Sequence, residues 1–336
     1  MNASARILLL GANGQVGQAL QFTLRHAARK LNPRFCHVSC DCEERSGDPA
    51  EGRLILATRN GKLENGLDCE RLDLADSDGM RAALDRIAPD LIVNAAAYTA
   101  VDRAEDEPDL AMRVNAQAVG VLGEWARRHD ARVLHYSTDY VFDGRAKEPY
   151  REDDPPHPVS AYGRSKLAGE FALRASGAKH LILRTAWVYA PRGHNFLRTM
   201  LRLAGERDTL RVVDDQIGAP TPAEVIAQVT AQVVPRWFNV DQGDMTAQSL
   251  DGVYHLTTLG ETNWHEFARA ILHRAHRRGM IERVPVIDAI KTSEYPTRAR
   301  RPAFSVLDTS LLRGTFGVEL PEWEQGLDGV FEDMAG

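Results

Sequence analysis

Long apolar runs are missing from this 336-residue chain. The early stretch Ile7-Leu8-Leu9-Leu10 gives way at once to glycine, too short for a signal-peptide core or a bilayer span. A cytoplasmic protein with no membrane partner is therefore expected. Long basic runs are missing too. Forty-one Lys and Arg face 47 Asp and Glu, for a net charge of -6, which gives nucleic-acid binding no electrostatic support. Cysteine is scarce: Cys36, Cys40, Cys42 and Cys69 are the full set. Three of them cluster beside His37, but no Cys-x2-Cys pair of the kind a structural zinc site uses is present. The reading favoured for the cluster is free thiols on a polar segment of a reduced protein. No internal repeat or low-complexity tract occurs.

What remains is 43% hydrophobic, enough for a full core in one large or two linked domains. Apolar β-rich runs at Arg6–Leu10, Arg53–Thr58, Leu91–Asn94, Arg132–Tyr136 and Leu181–Val188 alternate with helical patterns at Gln15–Lys30, Ser77–Ile87 and Asp109–Asp130. Continuous apolar strands separated by helices predict an α/β fold with a Rossmann-like, doubly wound parallel sheet, which binds ligands at its switch point. The second half is less regular. A helix is expected over Thr221–Val234, a strand over Gly252–Leu256 that rejoins the sheet, and a helix over Asn263–Arg278 capped by its asparagine. Lys291–Pro302, with two prolines and several arginines, reads as loop. Residues 26–52, polar and cysteine-bearing, read as an insertion where a short turn would suffice.

The first strand runs into Gly11-Ala12-Asn13-Gly14-Gln15-Val16-Gly17. Gly11 permits the sharp turn, Gly14 lets the backbone approach a pyrophosphate, and Gly17 lets the helix pack on the sheet, with free N–H groups at the helix start facing the anion. The spacing G-x-x-G-x-x-G resembles the extended short-chain reductases. Arg59 follows the second strand, where an NAD site usually has an acid. An arginine there suits a 2'-phosphate, so NADPH is favoured, with NADH the second candidate. Asp73-Leu74, read as the end of the third strand, are placed to meet the adenine. Ala97, Tyr98 and Thr99 follow the fourth, where small residues let a flat cofactor lie close.

Tyr162 and Lys166 are four apart, hence on one helix face. A lysine ammonium beside the phenol would lower its pKa and let it act as acid or base near neutral pH. The fifth strand ends upstream in His135-Tyr136-Ser137-Thr138-Asp139-Tyr140, and Thr138 can donate to the carbonyl oxygen that becomes an alkoxide. Glycine loop, Thr138, Tyr162 and Lys166 occur in order, each in the right context.

With these residues in view, the chain resembles the dTDP-4-dehydrorhamnose reductases. The similar stretches are GANGQVG, NAAAYTAVDRAE, HYSTDYVFDG, YGRSKLAGE, LRTAWVYAPRGHNFLRTMLRLA, VVDDQIGAPT, YHL with WHEFARAI, and RPAFSVLD with LPEW, in order from residue 11 to residue 323. The resemblance implies reduction of the 4-keto group of a dTDP-6-deoxy-hexulose by NADPH or NADH. It implies that Tyr162 donates the proton, with Lys166 its partner, and that Thr138 tunes the site and meets the sugar together with Asp139 and Trp187. It also implies that Gly14, Gln15, Val16, Asp73, Leu74, Ala97, Tyr98, Thr99, Tyr136 and Lys166 meet the dinucleotide. Residues 1–188 plus 221–256 would form the dinucleotide-binding domain, and 189–220 plus 257–336 a smaller mixed α/β domain for the sugar nucleotide. Members that hold Mg2+ do so with three glutamates at a dimer contact, and the matching positions here are Ala19, Glu224 and Asp333. With the first ligand missing, no metal is expected, and monomer and homodimer both stay open. Arg298 stands where the family usually has proline, either near a substrate diphosphate or in solvent. A 4,6-dehydratase would need a second acid after Asp139, where Tyr140 stands. A 4-epimerase and a non-catalytic NADP-binding regulatory subunit are the alternatives that remain.

Overall fold

The computed structural model describes residues 5–28, 31, 53–239 and 249–335. The cysteine cluster at 36–42 and most of the expected insertion lie outside them. In chain order the strands and helices are β1 (Arg6–Leu10), α1 (Gln15–Ala28), β2 (Arg53–Thr58), β3 (Glu70–Arg71), α2 (Ser77–Ile87), β4 (Leu91–Asn94), α3 (Pro108–Met112), α4 (Ala118–Arg128), β5 (Arg132–Thr138), α5 (Ala161–Ala175), β6 (Lys179–Thr185), β7 (Val188–Tyr189), α6 (Phe196–Glu206), β8 (Thr209–Val213), β9 (Ile217–Gly218), β10 (Thr221–Pro222), α7 (Ala223–Asn239), β11 (Gly252–His255), β12 (Thr262–Asn263), α8 (Trp264–Arg277), β13 (Val286–Ile290), α9 (Ser310–Phe316) and α10 (Trp323–Ala335).

Seven strands form one sheet in the order β11-β6-β5-β4-β1-β2-β3, and every pairing in it is parallel. Every residue of β4 and β5 is buried, as expected of strands covered on both faces. On one face Leu20 and Leu24 of α1 pack with Ile226, Val229 and Val233 of α7 and with Leu312 and Phe316 of α9. On the other, Met80 and Leu84 of α2 meet Val119, Leu122 and Trp125 of α4. A third cluster, apart from the sheet, joins α6, α8 and α10 through Leu197, Met200, Phe267, Ile271, Leu327 and Phe331. β1 lies between β2 and β4, so the chain reverses direction across the sheet there, and a crevice opens at the strands' carboxyl ends.

Several expected elements differ in detail: β5 runs on to Thr138 and β11 stops at His255. The strand read as Leu181–Val188 stops at Thr185, because Trp187 adopts a left-handed backbone with φ 47°; β7 then pairs with β10 instead. The helix read as Asp109–Asp130 is interrupted by a π-helical turn at Arg113–Gln117, an irregularity frequent at functional sites. The third strand ends at Arg71, so Asp73 and Leu74 lie in the turn after it. The helix read as Thr221–Val234 begins at Ala223, after β10, and continues through Pro235 to Asn239. α8 starts as expected, with the Asn263 side chain accepting from Glu266 N.

Candidate active site

The turn after β1 is shaped by backbone contacts that leave no room for a side chain at Gly11 or Gly17. Gly11 has φ 77°, and a Cβ there would lie 2.7 Å from Ala96 N. A Cβ at Gly17 would lie 2.0 Å from Gly11 O. Gly11 N and Ala12 N donate to Ala57 O at 3.1 and 3.2 Å, and the Asn13 side chain ties the turn to the segment after β2 through Lys62 O at 2.9 Å. α1 follows at Gln15 with its first N–H groups toward the crevice. A diphosphate would fit this cradle, and the fit of a dinucleotide rests on it. Gln15 Oε1 accepts from Asn195 at 2.8 Å, Val16 packs into the core, and Arg59 is exposed just beyond β2. Asp73 is half-buried, with its carboxylate accepting from Ala75 N at 2.9 Å, and Leu74 is buried.

On the far side of the crevice, Ala97 and Tyr98 are half-buried and Thr99 is exposed. Asn115, in the π turn, holds this loop from both sides: it accepts from Tyr98 N at 2.8 Å and donates to Tyr98 O at 3.0 Å. Its amide also donates to Ser165 Oγ on α5 at 3.0 Å. Sequence reading passed Asn115 over; an asparagine within an apolar helical pattern was the available signal. The Tyr98 phenol turns away to Glu107 Oε2, 2.8 Å distant.

α5 is capped by Ser160, whose hydroxyl accepts from Gly163 N at 3.1 Å, and by Glu105, which accepts from Ala161 N at 2.7 Å. Gly163 lets the helix lie against Tyr140 O and Gly169 lets it lie against Asn115 O; a Cβ would come within 2.2 and 2.0 Å of them. The close approach brings Tyr162 to the end of β5, where the Thr138 hydroxyl favours its phenolate and Tyr140 packs edge-on at 5.7 Å.

Here the chemistry departs from expectation. Burial pushes the Tyr162 pKa up, reinforced by Asp139 and Tyr140 and only tempered by Thr138. Lys166 does not lower it, because its Nζ turns inward, donating to Tyr136 O at 2.7 Å and lying 3.2 Å from His135 Nε2. Tyr162 is therefore a proton-bearing phenol. Burial in turn pulls Lys166 down to about 8, opposed by Glu170. Tyr136 offers its carbonyl to the site while its phenol is spent on Thr230 of α7 at 2.7 Å.

Asp139 is buried, and burial raises its carboxyl to about 6. Thr138 donates to its Oδ1 at 3.0 Å, and its Oδ2 has no partner among the described residues. Trp187 is half-buried, stacked on Trp264 at 3.6 Å with 7° between the ring planes. Gly218 makes room for its indole, since a Cβ there would meet Trp187 Cε2 at 2.5 Å. Arg298 is exposed and pairs with Asp106, while Arg301 bonds Asp102 at 2.8 Å. At the position of the family's metal, Glu224 is close enough to Asp333 for that charge to help raise its pKa, after burial as the main cause. Ala19 brings only a methyl group, and the described residues gather no set of three or more carboxylate, histidine or cysteine side chains that could hold an ion. The residues do not fit the three-glutamate metal site.

Comparison with known proteins settles the lineage. The RmlD substrate binding domain matches residues 5–335. The chain belongs to that family. It is 40% identical over 328 residues to the dTDP-4-dehydrorhamnose reductase of Salmonella typhimurium, covering 98% of this chain and 97% of that protein. It is 43% identical to the one from Shigella flexneri over the same length and coverage. The crystal structure of dTDP-4-dehydrorhamnose reductase from Bacillus anthracis in complex with NADP superposes with a TM-score of 0.78 at 30% identity, covering 98% of this chain and 99% of that one. Among the described residues of this RmlD-family protein, no helix is long and apolar enough to cross a membrane.

Proposed function

We propose that this protein reduces the 4-keto group of dTDP-4-dehydro-6-deoxy-L-hexose to give dTDP-L-rhamnose, using NADPH. The observation that carries the reading is the convergence of a glycine turn closed to side chains at Gly11 and Gly17, a protonated Tyr162 beside Thr138, and a buried Lys166 at the carboxyl ends of the central strands. The nicotinamide supplies the hydride. Gly11, Gly14, Gln15 and Val16 hold the diphosphate, Arg59 takes the 2'-phosphate, Asp73 and Leu74 flank the adenine, and Ala97, Tyr98, Thr99 and the Tyr136 carbonyl line the crevice. Lys166 holds the nicotinamide ribose. As the carbonyl oxygen gains charge, Tyr162 gives up its phenolic proton and Thr138, turning its hydroxyl from Asp139, donates a hydrogen bond, which stabilises the alkoxide in a water-poor site. Asp139 and Trp187 orient the sugar. Residues 1–188 plus 221–256 hold the dinucleotide, and 189–220 plus 257–336 close over the sugar nucleotide. The protein works in the cytoplasm, as a monomer or homodimer, without nucleic acid.

The test is to supply the 4-keto sugar nucleotide with NADPH and follow cofactor oxidation and product. Stoichiometric formation of dTDP-rhamnose is expected. Interconversion of sugar nucleotides with no net cofactor use would mark an epimerase, and cofactor binding with no turnover a regulatory subunit.

A further inference from the structure

Beneath Lys166 lies a short chain of hydrogen bonds that the reduction itself does not use. Asn94 ends β4, is buried, and accepts from Ala96 N through Oδ1 at 3.2 Å. That bond directs its Nδ2 at His135 Nδ1, 3.1 Å away. The amide can only donate there, so Nδ1 must carry a lone pair. A neutral imidazole then carries its proton on Nε2. Nε2 faces Lys166 Nζ at 3.2 Å, and two donors cannot share that contact. Lys166 satisfies it as a neutral amine, accepting from Nε2–H while donating to Tyr136 O at 2.7 Å.

A charged Lys166 demands the opposite pattern. The ammonium donates to Nε2, the imidazole proton sits on Nδ1, and Asn94 must turn its oxygen to accept it. Turning the amide takes the acceptor away from Ala96 N, in the loop that faces the dinucleotide. Ala96 N is also the atom 2.7 Å from where a Gly11 Cβ would be, so the released donor adjoins the glycine turn.

We propose that Asn94 and His135 are positioning residues that couple protonation of Lys166 to the backbone of the cofactor loop, so that dinucleotide binding draws a proton into the site. The proton comes from solvent and ends on Lys166 Nζ; His135 exchanges Nε2–H for Nδ1–H with no net gain. Ribose hydroxyls and diphosphate favour the ammonium, and the Ala96 N–H freed by the turned amide gains an acceptor from the ligand. The inference rests on the proposed contact of Lys166 with the ribose. The third pattern, a doubly protonated imidazole, is closed because burial and the neighbouring Lys166 hold His135 well below its ordinary pKa. The other titratable groups around the pair are Tyr136 on β5, with Tyr162 and Glu170 on α5. Glu170 is held in a bidentate ion pair by Arg184 of β6, at 2.7 and 3.0 Å.

Calorimetric titration of the full-length protein with NADPH, in buffers of different ionisation enthalpy, counts the protons taken up. About half a proton per site is expected at pH 8 and almost none at pH 6. NADH should give the same count at pH 8, which separates the lysine from the 2'-phosphate. Asn94→Asp supplies an acceptor to Nδ1–H and Ala96 N–H at once. It should abolish uptake at pH 8 and move the alkaline limb of kcat/KM up by about one pH unit. No uptake in the unaltered enzyme, or an Asn94→Asp variant with unchanged uptake and pH profile, overturns the proposal. Should that variant not fold, 15N NMR of the histidine rings in the unaltered protein decides: one buried histidine must exchange tautomers between pH 7 and pH 10, and a single tautomer throughout overturns the coupling. Lys166→Met tests the underlying reading separately, since unchanged NADPH affinity and turnover would remove Lys166 from the site altogether.

Discussion

Around the carboxyl ends of β4 and β5, Asn94, His135, Ser137, Thr138, Asp139 and Lys166 are all buried. Between α6, α8 and α10, Leu197, Met200, Phe267, Ile271, Leu327 and Phe331 pack together, with the Tyr189 phenol the exception that buries a polar atom among them. The first region packs polar groups where each needs a partner to offset desolvation. The second packs area against area, which stabilises without directing any chemistry. A chain that keeps so many buried donors and acceptors at one sheet edge gives up stability for arrangement there. The same contrast appears in the backbone, where Trp187 holds a left-handed conformation beside the polar edge, one that is an outlier for a bulky side chain.

Substitutions should separate the two regions. The largest effect expected is from Tyr162→Phe, which keeps ring packing and removes the proton. Turnover should fall by roughly 10²–10⁴-fold with the urea midpoint and NADPH affinity nearly unchanged; a near-normal rate would remove Tyr162 from the chemistry. Phe267→Ala should do the reverse. It leaves a cavity among Tyr189, Phe196 and Trp323 and should lower unfolding free energy by about 3–5 kcal/mol, while kcat per folded molecule changes little. A variant that loses activity without losing stability would mean the apolar cluster also shapes the site.

Arg59→Ala comes next. NADPH should bind on the order of tenfold to a hundredfold more weakly, with NADH almost unaffected, read by fluorescence titration with each cofactor. Equal losses for both would make Arg59 structural.

A pH effect of similar size concerns His255, buried at the end of β11 and pulled down to about 3 by burial and by Arg184. Between its unfolded value near 6.5 and that folded value, the unfolded chain binds the extra proton. Stability is therefore lost as pH falls through that window. From pH 7 to pH 5 this residue should account for about 2 kcal/mol, seen as the part of the fall in urea stability that His255→Gln removes. A slope equal in both proteins would contradict it. The smallest effect expected is from metal removal. With Ala19 in place of a carboxylate, exhaustive EDTA treatment should leave the rate unchanged, and a loss restored by Mg2+ would show that other acids compensate.

The sheet was legible in the sequence because its strands are buried on both faces and read as unbroken apolar runs. β1, β2 and β4 have the bounds expected. What was not legible depends on long-range contact. The break at Trp187 follows from β7 joining β10 and from Gly218 yielding space to the indole. The π turn at Arg113–Gln117 leaves no mark in hydrophobic period, yet it sets Asn115 between the cofactor loop and α5. Tyr162 and Lys166 were visible by their spacing. Their electrostatic relation was not, because it depends on which way Nζ turns, and His135 and the Tyr136 carbonyl draw it inward. The resemblance alone implies Tyr136 as a cofactor contact; its side chain goes to the opposite face, against Thr230, and only its carbonyl is turned to Lys166.

In the proposed reaction, hydride passes from the nicotinamide to C4 of the sugar, and Tyr162 supplies the proton. Reduction of the 4-keto sugar nucleotide with NADPH deuterated at nicotinamide C4, followed by NMR of the sugar, tests both halves in one experiment. One deuterium on C4 of the rhamnosyl product, formed by the unaltered enzyme and nearly absent with Tyr162→Phe, is the predicted result. Product without deuterium, or deuterated product formed equally fast by Tyr162→Phe, would contradict it.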